Sequence, residues 1–204
     1  MKRRIFASLA AAGAVAASIL ITSGGPAAAA DATPTLSATN TAPRSPGVTP
    51  NSGLPSLIQV DATQFHVVAT LRGVGKQVYD CKAGTDGKLA YAFREPIAGL
   101  FTLGGAPAGI HGKTPFWAHL DGSHVDGSGA VSPPVSPAYT DLTKNVPWLK
   151  LVGTPTPNTT GTFSNVAFIQ RIDTRGGVAP TDTCTVPSTK AVDYTANYVF
   201  WAKN

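Results

Sequence analysis

The chain has 204 residues, with 16 Lys and Arg against 11 Asp and Glu, and only 13% of it is charged. Three of those bases, Lys2, Arg3 and Arg4, stand together at the N-terminus; without them 13 basic residues face 11 acidic ones. No run of Lys or Arg then remains and no aromatics alternate with bases, so the electrostatic footprint of a nucleic-acid-binding protein is absent.

The N-terminus reads as a leader. The charged start is followed by an Ala-rich apolar run from Ile5 to Thr22, and then by the small residues Ala28, Ala29 and Ala30 before Asp31. This is the layout of a secretory signal peptide (1–30) with cleavage between Ala30 and Asp31. As a membrane span the run is short, diluted with Ala and ended by Ser-Gly-Gly-Pro. No later segment is apolar for long enough to span a bilayer as a helix. The expected location is therefore secreted, extracellular or held at the cell wall. Residues 31–53 are rich in Pro, Thr, Ser and Ala and carry almost no large apolar side chain, the composition of a disordered tether. The domain proper is expected over 54–204.

From there the apolar residues recur with period two. In FHVVATLR, Phe65, Val67, Ala69 and Leu71 share one face; in the last segment Val192, Tyr194, Ala196, Tyr198 and Phe200 do so. KLAYAF, FWAHL, PWLKLV and VAFIQR follow the same pattern, each bounded by Gly, Pro, Asp or Asn. No window places apolar residues at i, i+3, i+4 and i+7. The fold expected is all-β: a single-domain antiparallel sandwich or barrel with long loops. The core expected includes Val67, Leu71, Val78, Tyr79, Leu89, Phe93, Leu100, Trp117, Leu120, Trp148, Leu149, Leu151, Val166, Phe168, Ile169, Tyr194, Tyr198 and Phe200. GVGK at Gly73–Lys76 lacks the full phosphate-loop spacing and reads as a bulge or tight turn. The longest loop expected runs from Asp126 to Thr143. Cys81 and Cys184 are the two cysteines, and in an oxidising compartment they are expected to pair.

Candidate chemistry concentrates in HGKTPFWAHLDGSHVDGS, His111 to Ser128, which holds three of the four His. FWAHL followed by Asp121-Gly122-Ser123 predicts a strand and a tight hairpin turn, since Asp-Gly favours positive φ. Trp117 and His119 would share a face, and His124 would begin the return strand. Three imidazoles suit Zn or Cu, so His111, His119 and His124 form one candidate metal set, although their spacing matches no defined metal motif. The other reading is a ligand-binding face of Trp117, His119, Asp121, Ser123 and His124, an aromatic platform with polar residues to orient a ligand. There is no G-x-S-x-G elbow. Glu95 is the only Glu, so a pair of facing carboxylates for glycoside hydrolysis would need an Asp partner. Arg171 and Arg175, in RIDTRGGVAP, would offer cations to an anionic ligand.

Several strings together carry a resemblance: GVGKQVYDC, FREPIAGL, HGKTPFWAHLDGSHVDG, VPWLKL, IQRIDTRGGVAPTDTC and VDYTANYVF. In this order they resemble a family of secreted bacterial and fungal proteins catalogued as domain of unknown function 3455, from about Leu54 to Trp201. The Cys81 and Cys184 pair and the W-x-x-x-D-G-S element of Trp117–Ser123 match its pattern. Lys113-Thr114-Pro115-Phe116 departs from the Gly-Pro-Thr more usual before the Trp. The family implies no established activity. The expected function is therefore a secreted or wall-associated, non-catalytic binding protein without cofactor, its partner a cell-wall or extracellular glycan or another envelope component. The alternative is an extracellular metal-dependent enzyme using His111, His119 and His124.

Overall fold

The computed structural model describes residues 47–133 and 141–204. The leader, the Ala30–Asp31 junction and most of the tether lie outside the described residues. Eight antiparallel strands follow one another around a closed barrel. They are β1 (Phe65–Ala83), β2 (Leu89–Thr102), β3 (Pro107–Gly112), β4 (Phe116–His119), β5 (His124–Val131), β6 (Leu149–Pro155), β7 (Val166–Gly176) and β8 (Thr189–Lys203). Each strand pairs with its neighbour in sequence, and β8 returns to β1 along almost its whole length, from Phe65 opposite Lys203 to Asp80 opposite Thr189. Closure leaves neither strand as an open edge. Of the two all-β architectures expected, the barrel is the one found.

Period two decides what goes inside. Leu71, Leu100, Trp117, Val125, Ile169, Tyr198 and Phe200 are all buried in one cluster within the barrel. An eight-stranded barrel is just wide enough for its interior to be filled by side chains. At the end carrying the β4–β5 turn it is so filled: Phe163 stacks on Phe200 with centroids 4.3 Å apart.

Glycines adjust the fit. A Cβ on Gly73 would lie 2.6 Å from Cε2 of Tyr198. Gly73–Lys76 is thus neither a bulge nor a turn, as the sequence suggested, but continuous strand whose missing side chain makes room for an opposing ring.

The outer face of β7 and β8 is covered as well. Ile172, Val199 and Trp201 pack under Leu54, Ile58 and Val60, which the chain presents through two short 3-10 turns, Asn51–Gly53 and Ser56–Ile58. Gln170 donates from Nε2 to Ile58 O (2.7 Å), and Trp201 Nε1 donates to Gln170 Oε1 (2.8 Å). Residues read as the end of the tether take part: Val48 packs on this cluster, and Asp173 accepts from Thr49 N at 3.0 Å. Burial on both faces explains why β8 is buried almost continuously from Tyr194 onward.

A third cluster holds Tyr79, Tyr91, Cys81 and Cys184. The two cysteines are disulfide-bonded, with Cα atoms 5.8 Å apart across a sequence separation of 103. Several apolar residues expected in the core are instead on the surface: Val67 (44% exposed), Leu89 (44%), Phe93 (54%) and Leu120 (71%). Leu120 stands beside the hairpin turn, beyond the barrel wall. Val67 sits where the β1–β8 register shifts, which takes it out of the alternation that buries Leu71.

The barrel mouth as candidate functional site

The hairpin forms as its sequence predicts. β4 pairs β5 with Trp117 opposite Val125 and Ala118 opposite His124, and Gly122 takes φ +88° in the turn. The Asp121 carboxylate fixes that turn. One oxygen accepts from the N–H and hydroxyl of Ser123 (2.9 and 2.6 Å), the other from the N–H and hydroxyl of Thr162 (both 2.7 Å). Ser123 Oγ in turn accepts from Phe163 N at 2.9 Å. Burial opposes ionisation of Asp121, but these hydrogen bonds from Ser123 and Thr162 outweigh it and hold the carboxyl well below its ordinary range. Asp121 and the fully buried Ser123 thus tie the β4–β5 turn to the segment before β7. Their own bonds occupy them.

Trp117 is 1% exposed. It points into the barrel, where His111 stacks on it at 4.4 Å and 8° and Tyr198 meets it edge-on at 5.5 Å. It is no surface platform, and the ligand-binding face drawn from the sequence is corrected accordingly. Strand alternation sends the remaining members of that face elsewhere. His119 lies against Phe163 at the filled end, with Nδ1 3.1 Å from Asp121. His124 is on the outer face, stacked on Phe116 and 3.0 Å from Asp126.

The alternative metal set of His111, His119 and His124 is corrected by the same alternation. Each imidazole has its own separate partners, and among the described residues no three His, Cys, Asp or Glu side chains are grouped to hold a metal ion.

What the strands do bring together is the opposite end of the barrel. There the interior opens into a cavity of about 620 Å³. Its wall takes Gln77 from β1, Phe93, Arg94 and Pro96 from β2, His111 from β3, Trp117 from β4, Leu149 and Leu151 from β6, Arg171 from β7 and Tyr198 from β8. Lys113–Pro115 and Gly127–Ala130 form its rim. The glycine at 127 is needed: a Cβ there would lie 2.8 Å from the Trp117 ring.

Residues 103–202 match the family model described as protein of unknown function (DUF3455). The matched segment begins after β2 and runs from β3 into β8, so it contains His111, Trp117, Arg171 and Tyr198 of the cavity wall and leaves Gln77 and the β2 residues outside. It also contains Asp121 and Ser123, which gives the W-x-x-x-D-G-S element a physical reading: one ring in the barrel interior and one staple at its filled end. No curated protein and no solved structure matches the chain.

The wall also carries polar side chains, among them Gln77, Arg94, His111, Arg171 and Tyr198. His111 is 4% exposed, and its Nδ1 lies 2.7 Å from Phe116 O. A carbonyl only accepts, so Nδ1 carries the proton and Nε2 keeps a lone pair. Burial pushes the imidazole down to about 4, against the backbone hydrogen bond that favours its charged form, so the ring is neutral at ordinary pH. Tyr194 and Tyr198 face each other with hydroxyls 3.2 Å apart, and burial raises both. Trp117 Nε1 is a buried N–H donor without a hydrogen-bond partner, while Gln77 reaches the Tyr194 hydroxyl. Sequence reading singled out His111, Trp117 and Arg171 but not Gln77, which is 1% exposed; the one signal for it was a polar residue in phase with the inward face of β1.

Among the described residues no helix is long and apolar enough to cross a membrane.

Proposed function

We propose that the chain is a secreted, non-catalytic binding protein that takes a small, largely apolar molecule into the open mouth of its barrel. The observation that carries this reading is the cavity itself: about 620 Å³, with rings and aliphatic side chains forming most of its wall. Pockets of that size and character are the usual seats of small organic ligands, and small β-barrels hold such ligands within the barrel. The export half of the proposal rests on the charged, apolar and small-residue layout of positions 1–30.

Two features favour binding over catalysis. The imidazoles do not converge, and His111, the one in the cavity wall, spends its proton on Phe116 O and stays neutral. The glycan reading depended on an exposed Trp117; with that ring inside the barrel, the support shifts from a polysaccharide lying on a flat surface to a small molecule inserted end-on.

The test is binding of N-phenyl-1-naphthylamine, a neutral apolar dye that fluoresces in dry surroundings. One saturable site per chain is expected, abolished by Ala130→Trp, which fills the mouth from its exposed rim without touching the core. Absence of saturable binding, or binding untouched by Ala130→Trp, contradicts the proposal.

A further inference from the structure

Among the described residues the cavity wall carries three cations, Arg94, Lys113 and Arg171, and no carboxylate. Arg94 is compensated, with Asp80 at 2.9 Å and Glu95 at 2.7 Å. Lys113 is on the exposed rim, where water serves it. Arg171 is different. It is partly buried and sits on the inward face of β7, paired in register with Leu149 of β6 and Tyr198 of β8. Nε and Nη2 donate to Pro147 O at 3.1 and 2.9 Å, and the Tyr198 hydroxyl lies beside the guanidinium. Those partners are neutral oxygens; among the described residues Arg171 makes no ion pair. A guanidinium has five N–H donors in a planar fork, so anchoring two of its nitrogens on one carbonyl orients the group and leaves donors over. A cation partly removed from water beside Leu149 and Tyr198 without a counter-charge is costly unless something anionic joins it.

Resting on the binding reading above, we propose that the ligand is an amphipathic organic anion: a small molecule with a carboxylate head and an apolar, ring-sized or short-chain body. The head pairs with the free edge of the Arg171 guanidinium, and the body lies along Leu149, Leu151 and the stacked His111 and Trp117 rings. Three observations converge on this. Among the described residues the uncompensated charge inside the mouth is positive. The buried donor Trp117 Nε1 lacks a partner in the same wall, so that wall holds an N–H that an acceptor on a ligand could satisfy. The surrounding surface is apolar, which disfavours a fully hydrated inorganic anion and favours one carrying its own hydrophobic body. Arg suits the task better than Lys because its fork matches the two oxygens of a carboxylate.

The experiment uses two competitors with one skeleton, 4-phenylbutyrate and 4-phenylbutan-1-ol, each displacing N-phenyl-1-naphthylamine from the chain. The expected result is that the carboxylate displaces the dye at least tenfold more tightly than the alcohol, and that in Arg171→Gln, with each competitor referred to that variant's own dye affinity, the two displace it equally. Equal displacement by acid and alcohol in the wild-type chain overturns the anion proposal even if Arg171→Gln fails to fold. So does an acid preference that survives Arg171→Gln. Displacement by inorganic phosphate as effective as by 4-phenylbutyrate overturns the apolar half of it. Failure of the dye itself to bind falls on the cavity reading instead, so the two failures are told apart.

Discussion

The imidazole of His111 lies flat on the indole of Trp117, centroids 4.4 Å apart and planes 8° from parallel, on adjacent strands where the barrel interior gives way to its mouth. Tyr198 closes on both rings edge-on. This three-ring group is at once the top of the core and the floor of the cavity, so substitutions in it act on folding and on binding together.

Trp117→Ala is expected to destabilise the domain by about 3–5 kcal/mol, the range for removing a large buried aromatic. Trp117→Phe keeps an aromatic ring for His111 and is expected to lose less than half as much. Urea unfolding followed by far-UV circular dichroism measures both. A Trp117→Ala loss below about 1 kcal/mol would place the ring at the surface after all.

His111 makes stability depend on pH. In the folded chain burial holds it down to about 4, whereas unfolded it titrates at its ordinary 6.5. Between these values the unfolded state binds more protons, so stability falls as pH falls, at up to about 1.4 kcal/mol per pH unit from this residue. His111→Gln can still donate to Phe116 O but does not titrate. Urea unfolding at pH 7 and pH 4.5 should show the wild type losing more stability than the variant; parallel losses would show that His111 is not buried neutral.

Asp121 acts in a lower window. Its folded carboxyl lies below the ordinary 3.8, so its contribution is complete above that value and is lost as pH falls further. Asp121→Ala removes the acceptor for four hydrogen bonds at the β4–β5 turn and leaves the N–H groups of Ser123 and Thr162 without that partner. A loss of roughly 2 kcal/mol is expected at neutral pH, in the range for bonds to a charged acceptor. The gap between wild type and variant should narrow below pH 3.8. A gap independent of pH down to pH 2 would show that the charge of Asp121 is not what holds the turn.

Cys81 and Cys184 lie 103 residues apart in sequence, so their bond restricts a large part of the unfolded chain. Replacing both by Ser is expected to lower stability by up to about 4–5 kcal/mol in the chain-entropy account, while the dye site, whose wall includes neither cysteine, keeps its affinity under conditions where the variant is folded. Thermal unfolding and dye titration of the double variant check the two halves; an unchanged melting temperature would contradict the first.

The strands were legible because period two in Phe65–Arg72 and Val192–Phe200 is a local property, and the hairpin turn because Asp121-Gly122 is local turn chemistry. Closure was not legible. It depends on β1 meeting β8 over a register spanning most of the chain, which no short window encodes. Gly73 and Gly75 look like turn residues in sequence; the reason for Gly73 is the Tyr198 ring, contributed by β8. The candidate site moved for the same reason. Trp117, His119 and His124 are close in sequence, but alternation and the turn send them to the interior, the filled end and the outer face. Arg171 and Gln77, far apart in sequence, meet at the mouth. The cation at Arg171 was visible as a residue; that no described residue supplies its counter-charge was visible only once the strands were in place.

The most direct measurement is of where a bound molecule touches the barrel. In the 15N-labelled chain titrated with 4-phenylbutyrate, the side-chain signals of Trp117 Nε1–H and Gln77 Nε2 are expected to move together and saturate, while the Trp201 indole, held by Gln170 on the outer face, stays in place. If Trp117 and Gln77 stay fixed at saturating ligand, or only Trp201 and the outer face respond, the mouth of the barrel is not the binding site.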